Sequence, residues 1–386
     1  MASRKRSLRI WIDAICSTVF SFAVCTLLYL AFINISSFDA FSNAFRDFEF
    51  TDLYYSKALP ESNISDNIIL VNVQYADRAE IAEAIDKIAE QNPTVIWLDL
   101  IFRDRKTAIG DSTLYASLMR HENIVTSCYF DGDAIVENNP YFSPERFSSG
   151  FINLYPRDGQ TVIRDYLAWK TDSSNDTIYS FAARLAMRHN PNLIPELKSL
   201  DRIFPIDYTT DLDNFVLFEL DEILLSDDPI PIIDGGIVIL AYLGVPTGNP
   251  HDIEDKHFTP LNDHVAGKST PDMYGAAIHA NVLRMFVEDN FVWRVPTFWN
   301  YCLAFALATL ATYWALVIMS RKYILHNLLI KGYQLVWSIG LVYFSLLLLK
   351  MGVLISVTSI LLLVILSVEM IDSYHNLKNY LQKKFL

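Results

Sequence analysis

Four long apolar stretches constrain the fold of this chain more than any other feature of its sequence. They cover residues 10–33, 297–319, 333–349 and 352–370. A helix that crosses a bilayer needs roughly 20 mostly apolar residues, and each stretch approaches or exceeds that length. We therefore predict four transmembrane helices, one N-terminal and three C-terminal.

The last two stretches form one apolar run that is broken near Lys350-Met351-Gly352. A single helix over residues 335–368 would be about 51 Å long, against a hydrocarbon core of about 30 Å. We interpret the break as a tight hairpin between two spans. One long tilted helix is the alternative interpretation.

The first stretch follows the basic residues Arg4, Lys5, Arg6 and Arg9, a pattern shared by membrane anchors and secretory signal peptides. Its apolar part is longer than a typical signal core, and the segment 29–32 is a poor cleavage site. We predict an uncleaved anchor, and a cleaved signal peptide remains the alternative.

Basic residues flank the predicted spans in a consistent way. Residues 1–9, the loop after 319 and the tail 371–386 are rich in Lys and Arg, whereas Lys350 is the one basic residue between the last two spans. The positive-inside rule then places both termini in the cytoplasm and residues 34–296 outside it. We predict a bacterial inner-membrane protein whose main domain is periplasmic.

The segment between the first two spans is acidic. It carries 20 Lys and Arg against 41 Asp and Glu, a net charge of −21, although the whole chain is 52 % hydrophobic. Such a surface repels phosphates, so we expect no nucleic-acid partner. Cys128 is the only cysteine of this segment, which excludes a disulfide within it.

Strand and helix patterns alternate in the external segment, which predicts an α/β domain with a mostly parallel sheet flanked by helices. The apolar runs 68–73, 94–102, 123–130 and 236–242 are typical of buried strands. Helical spacing marks the other elements. The predicted helices cover residues 78–91, 113–121 and 272–289. Residues 131–235 carry weak signals, and the segment 41–55 is either an aromatic connector or a continuing helix.

Polar residues follow the first two predicted strands. Ligands of open parallel sheets bind beyond the carboxyl ends of the strands, so Gln74, Asp77, Asp99 and Asp104 are candidate ligand-binding residues. The structural alternative is that Asp77 caps the following helix and that Asp99 is a buried, hydrogen-bonded acid.

Two further motifs do not predict the chemistry that they first suggest. Gly267-Lys268-Ser269 resembles the end of a phosphate-binding loop, but Asn262 stands where that motif needs glycine, so we expect no nucleotide. A loop contains three histidines and three aspartates whose spacing does not force convergence on a metal, so we expect none. These residues are His251, Asp252, Asp255, His257, Asp263 and His264. No catalytic signature is found, and we expect neither enzymatic activity nor a cofactor.

Several short motifs occur in a characteristic order. A helix–strand unit over 78–102 contains Asp99, a late strand over 236–244 precedes Asp255 and Thr259-Pro260, and a helix beginning at Gly275 contains His279. With one leading and three trailing spans, the chain resembles the type-two CHASE domain, an extracellular sensing module associated with cyclases and histidine kinases. The resemblance covers residues 35–370. It implies structural or coupling roles for Asp255, Thr259, Pro260 and His279.

The chain departs from the family pattern at Tyr274, where proline is frequent, and at Asn72, where an acid is common. About 16 residues follow the last predicted span, so we expect no attached output domain. The sequence thus favours a sensory or interaction domain that signals through a separate membrane or cytoplasmic output protein, with homo-oligomers possible. The alternative is a structural subunit of a cell-envelope complex without a small-molecule ligand. An exported enzyme is a distant third hypothesis.

Overall fold

A computed structural model describes residues 2–32, 49–58, 65–143, 148–157, 159–190, 202–208, 212–245, 253–262, 270–321 and 325–385. The chain divides into two compact units. One contains residues 1–51 and 293–386, and the other contains residues 52–292. Most of the segment 41–55, whose conformation the sequence leaves open, lies outside the described residues.

The described residues form ten α-helices and fifteen strands. The helices are α1 (Ala2–Phe32), α2 (Arg78–Glu90), α3 (Ala108–Arg120), α4 (Phe181–His189), α5 (Leu220–Leu225), α6 (Gly275–Val287), α7 (Thr297–Met319), α8 (His326–Lys350), α9 (Val357–Glu369) and α10 (Ile371–Phe385). The strands are β1 (Ser65–Asn72), β2 (Val95–Leu98), β3 (Ile124–Asp131), β4 (Ala134–Val136), β5 (Ser148–Phe151), β6 (Asp165–Leu167), β7 (Trp169–Thr171), β8 (Thr177–Tyr179), β9 (Ile203–Pro205), β10 (Phe215–Glu219), β11 (Ile237–Ala241), β12 (Lys256–His257), β13 (Met273–Tyr274), β14 (Trp293–Arg294) and β15 (Val353–Leu354).

The central sheet of unit 52–292 confirms the predicted α/β class. Its strand order is β10-β1-β11-β2-β3, and β3 also pairs with β4 and β5. All of these pairings are parallel except that of β3 with β4. The four strands and three helices predicted in this unit all occur at their predicted places, with boundaries shifted by a few residues.

Helices cover both faces of the sheet because its strands alternate side chains between two apolar layers. On one face, Ile69 and Val71 of β1 pack with Ile85 of α2 and Leu114 of α3. On the other face, Trp97 of β2 stacks on the ring of the first residue of α4. Burying each of these large side chains contributes about 1.5–3 kcal/mol.

In the region 131–235, where sequence signals are weak, the described residues form two short antiparallel pairs in addition to β4, β5, β10, α4 and α5. β6 pairs with β9, and β7 pairs with β8. Each of these strands is three residues long, which is too short for a period-two pattern to stand out. A further antiparallel pair, formed by the two-residue strands β12 and β13, precedes α6.

In the unit of residues 1–51 and 293–386, three helices are long and apolar enough to cross a membrane. They are the segment Ser7–Leu28 of α1, the whole of α7, and the segment Asn327–Lys350 of α8. α7 coincides with the predicted span 297–319. Its Ala304, Ala308 and Ala315 are fully or almost fully buried, and such small residues allow close helix packing.

The predicted fourth span, 352–370, differs from the structure. α9 begins only at Val357 and has 13 residues, a length of about 20 Å. It passes the same test for membrane crossing only together with α10, from which it is bent by 48°. Gly352 explains the later start because its φ of +76° ends the preceding helix, and the next residues form β15. The predicted break at 350–352 is therefore confirmed.

Candidate functional site

The carboxyl end of β1 is held by an amide–carboxylate network. The Asn72 amide donates to Glu219 and to the Gly244 carbonyl, both at 2.9 Å, and the Gln74 amide donates to Glu219 at 2.7 Å. Gln74 has a φ of +45°, a strained value for this residue type. The predicted ligand residue Gln74 is thus fixed by its neighbours on β1 and β10.

Asp77 and Asp104 line a different part of this sheet edge. Both contribute to a cleft of about 690 Å³ at the N-terminal ends of α2 and α3. Asp77 also caps α2, because its carboxylate accepts from the backbone N–H groups of Ala79 and Glu80 at 2.7 and 3.0 Å. The predicted capping role of Asp77 is therefore present.

Asp99 lies directly after β2 and is the least satisfied acid at this edge. Its Oδ1 is buried without a hydrogen-bond partner among the described residues. Burial first, and then the charge of Asp255, raise the pKa of the Asp99 carboxyl to about 8. Asp99 therefore carries a proton at neutral pH in the folded protein.

Asp255 lies beside the first turn of α6. The Gly275 amide donates to the Asp255 carbonyl at 3.0 Å, and a Cβ on Gly275 would lie 3.4 Å from both carboxylate oxygens of Asp255. Asp255 is exposed as a residue, but partial loss of hydration raises the pKa of its carboxyl to about 6, and burial lowers the pKa of nearby His257. Asp99, Asp255 and His257 together form what we call the strand-end cluster.

His279 is enclosed in the core on α6. The carbonyl of Ile152 lies 3.1 Å from its Nε2, so this nitrogen donates, and Nδ1 accepts from the Tyr166 hydroxyl at 2.8 Å. Burial lowers the pKa of His279 to about 4, which keeps the ring neutral. The Trp97 and Phe181 rings stand edge-on to it.

Thr259 and Pro260 stabilise the loop between β12 and β13. The Thr259 amide donates to Asp272 at 2.9 Å, and the Thr259 hydroxyl donates to the same carboxylate. The Asn262 amide donates to Asp272 at 3.1 Å, and Pro260 is buried. These contacts fit the structural role that the resemblance implies for both residues.

The structure brings only some of the predicted site residues together. Asp77 shares a cleft with Asp104, Asp99 lies beside Asp255, and Gln74 belongs to the network at the end of β1. Within the described ranges no three His, Cys, Asp or Glu side chains are placed to hold a metal. His251, Asp252, Asp263, His264 and residues 267–269 lie outside those ranges.

Sequence reasoning missed Glu219, Asp272 and Tyr166. Glu219 ends β10, so a strand-end search that included this weak strand would have found it. Asp272 and Tyr166 matter through partners that are 13 and 113 residues away, respectively. No local pattern predicts such contacts.

Comparison with known proteins gives one match. The model of the CHASE2 domain matches residues 22–319, which is most of the chain. This confirms the resemblance found in the sequence, but the match begins inside α1 and ends with α7, short of residue 370. Neither the curated proteins nor the solved structures contain a match.

Proposed function

The chain belongs to the CHASE2 domain family of extracellular sensory domains, and we propose from that premise that residues 34–296 sense conditions in the periplasm and signal to a separate partner protein. The observation that carries the proposal is the strand-end cluster. There Oδ1 of Asp99 is buried without a hydrogen-bond partner among the described residues, and the neighbouring Asp255 lies beside the first turn of α6.

The strand-end cluster is suited to respond because its charge is easily changed. Asp99 and its neighbour Asp255 both have raised pKa values, and ionising both brings two negative charges close together. A proton, a ligand or a partner at this sheet edge would change the charge of Asp255. That change acts on the N-terminus of α6, where the helix dipole favours negative charge.

The chain continues from α6 through β14 into α7, one of the apolar helices. A change in α6 therefore has a short covalent connection to a membrane-crossing segment. We place the N- and C-termini in the cytoplasm and the protein in the bacterial inner membrane, on the basis of the basic residues around the spans.

The fourth span is formed by α9 together with the start of α10, and we place the C-terminal turns of α10 in the cytoplasm, where they bind the partner. Leu377, Tyr380 and Leu381 lie on one face of this helix, with 41 %, 60 % and 44 % of their surface exposed. Lys383 and Lys384 follow in its last turn. An apolar stripe bordered by positive charge is suited to dock an amphipathic, acidic protein surface.

Capture of a partner tests this proposal. The tagged full chain, purified in mild detergent after in vivo crosslinking, is expected to retain a stoichiometric partner by quantitative mass spectrometry. The double variant Leu377→Ser/Leu381→Ser should lose it, whereas Leu225→Ser, which removes an 82 % exposed leucine from α5, should keep it. A chain that purifies alone contradicts the proposal.

Hydrogen exchange of α6 separates a sensor from a purely structural subunit. With intrinsic rates corrected, raising the pH from 6 to 9 should increase exchange at the start of α6. Asp99 ionises over this range and then repels Asp255, whose carbonyl accepts from the Gly275 amide in the first turn of α6. Asp99→Asn should abolish this increase. A partner that binds equally well while α6 shows no dependence on Asp99 would instead support the structural alternative.

A further inference from the structure

A second cleft lies away from the strand-end cluster, between β6 and the start of β9. Its volume is about 550 Å³, which is within the range of sites for small organic ligands. Three cationic side chains line it together with apolar ones. The cations are Arg157, Lys170 and Arg202, and the apolar residues include Tyr155, Leu167 and Ile203.

The described lining of this cleft is more positive than the domain around it. One carboxylate, Asp165, lines the cleft, and it pairs with Arg157. Arg202 donates from Nε to the Trp169 carbonyl at 3.2 Å, and Lys170 donates to the Gly132 carbonyl at 2.7 Å. Backbone carbonyls hold these two cations in place without neutralising their charge.

Lys170 also lies 3.4 Å from the carboxylate of Asp133, but this carboxylate is 89 % exposed and outside the cleft lining. Solvent screens such a pair strongly. The cleft therefore brings two such cations together in a segment whose net charge is −21.

The apolar part of the wall has a second implication. Tyr155 and Ile203 expose 38 % and 54 % of their surface. An inorganic anion would satisfy the cations and leave this surface in water. A ligand that carries both a negative group and an apolar body would cover both.

We propose that this cleft binds an organic anion, a carboxylate attached to an apolar or aromatic body. Arg202 and Lys170 would receive the carboxylate, and Tyr155, Leu167 and Ile203 would contact the body. The role of this organic anion as a sensed signal rests on the proposed sensory function. Its binding to the cleft does not depend on that function.

Tyr166 connects this cleft to α6. It lines the cleft, and its hydroxyl donates to Nδ1 of His279 at 2.8 Å. A ligand in the cleft would therefore lie against β6, whose buried Tyr166 is hydrogen-bonded to the helix preceding α7. The cleft and the strand-end cluster are therefore both connected to α6. The cleft is connected through Tyr166 and His279, and the cluster through Asp255 and Gly275.

Fluorine NMR on the full chain in phosphatidylcholine nanodiscs tests the proposal. The probe is 4-fluorophenylacetate, its neutral isostere 4-fluorophenylacetamide is the charge control, and empty nanodiscs correct for partition into lipid. The acid should bind saturably and at least about tenfold more tightly than the amide, because charge-assisted hydrogen bonds are made only by the carboxylate.

Arg202→Gln should weaken binding of the acid about tenfold or more and leave the amide unchanged. Arg188→Gln is the matched control, since Arg188 is another exposed arginine that donates to a backbone carbonyl, at 2.7 Å. It should change binding less than twofold. An unchanged thermal midpoint of Arg202→Gln would show that the variant is folded.

Equal binding of acid and amide overturns the proposal, as does an equal loss in the two arginine variants. Absence of binding with partner capture intact refutes the anion site alone. Saturable, Arg202-dependent binding with no captured partner refutes the signalling proposal and leaves the anion site standing.

Discussion

Two aspartates of unit 52–292 have buried carboxylate atoms in opposite environments. Asp52 forms a bidentate ion pair with Arg164, at 3.0 Å from Nε and 2.6 Å from Nη2. Asp99 is partly buried as a residue, and its Oδ1 is fully buried with no partner among the described residues. The comparison shows that burial alone does not make an acid structural. The charge and geometry of Asp52 are fixed by Arg164. Asp99, in contrast, is neutral at pH 7 and can lose its proton as the pH rises.

The difference follows from the cost of removing a charge from water. A buried charge needs a countercharge and hydrogen bonds that replace its hydration. Arg164 supplies both to Asp52, and Gln160 accepts from the same guanidinium at 3.2 Å. Asp99 instead faces another acid, Asp255, which adds repulsion to the desolvation.

The largest expected effect comes from breaking the paired site. Asp52→Asn leaves the Arg164 guanidinium buried without a countercharge, and such a loss typically costs about 3–5 kcal/mol. We expect this decrease in the unfolding free energy of the full chain in micelles, measured by urea titration with near-ultraviolet circular dichroism.

Asp133→Asn is the matched control for Asp52→Asn, because Asp133 pairs with a cation but is 89 % exposed. It should change the unfolding free energy by less than about 0.5 kcal/mol. If both variants lost the same unfolding free energy, the buried ion pair of Asp52 would contribute no more than an exposed one. The contrast with Asp99 would then be wrong.

Asp99→Asn should have an effect of opposite sign. The pKa of Asp99 is about 8 in the folded protein and about 3.9 in the unfolded chain, so between these values the folded state holds the extra proton. Stability from this group therefore falls as pH rises from about 4 to 8. At pH 8.5 the neutral asparagine should be more stable than wild type by about 2 kcal/mol or more.

The comparison of Asp99→Asn with wild type is cleanest above pH 7. His279 has a pKa of about 4 in the folded protein, below its ordinary value of about 6.5, so its contribution rises with pH over that lower range and opposes that of Asp99. Between pH 7 and 8.5 the His279 contribution is constant. If the unfolding free energies of wild type and Asp99→Asn changed in parallel between pH 7 and 8.5, Asp99 would already be ionised in the folded protein at pH 7.

The sheet and its flanking helices were predictable because their signals are local. Apolar runs such as 68–73 mark buried strands, and helical spacing marks α2. The position of Asp99 at a strand end was also predictable. Its proximity to Asp255, 156 residues later, depends on the insertion of β11 between β1 and β2, and no local pattern gives that order. The resemblance identified both positions without explaining why they meet.

The smallest expected effect concerns Asp77, an exposed acid whose hydrogen bonds are complete. Asp77→Ala removes the cap of α2 and should cost about 1 kcal/mol of unfolding free energy, by the same urea titration. Asp77→Ser keeps an oxygen that can accept from the first-turn amides, so it should recover most of the loss. If serine fails to recover it, the charge of Asp77 matters more than its hydrogen bonds, through the helix dipole. Asp77 would then stand closer to Asp99, as an acid whose electrostatic role outweighs its bonding, and the cleft that it shares with Asp104 would become the better place to look for a ligand.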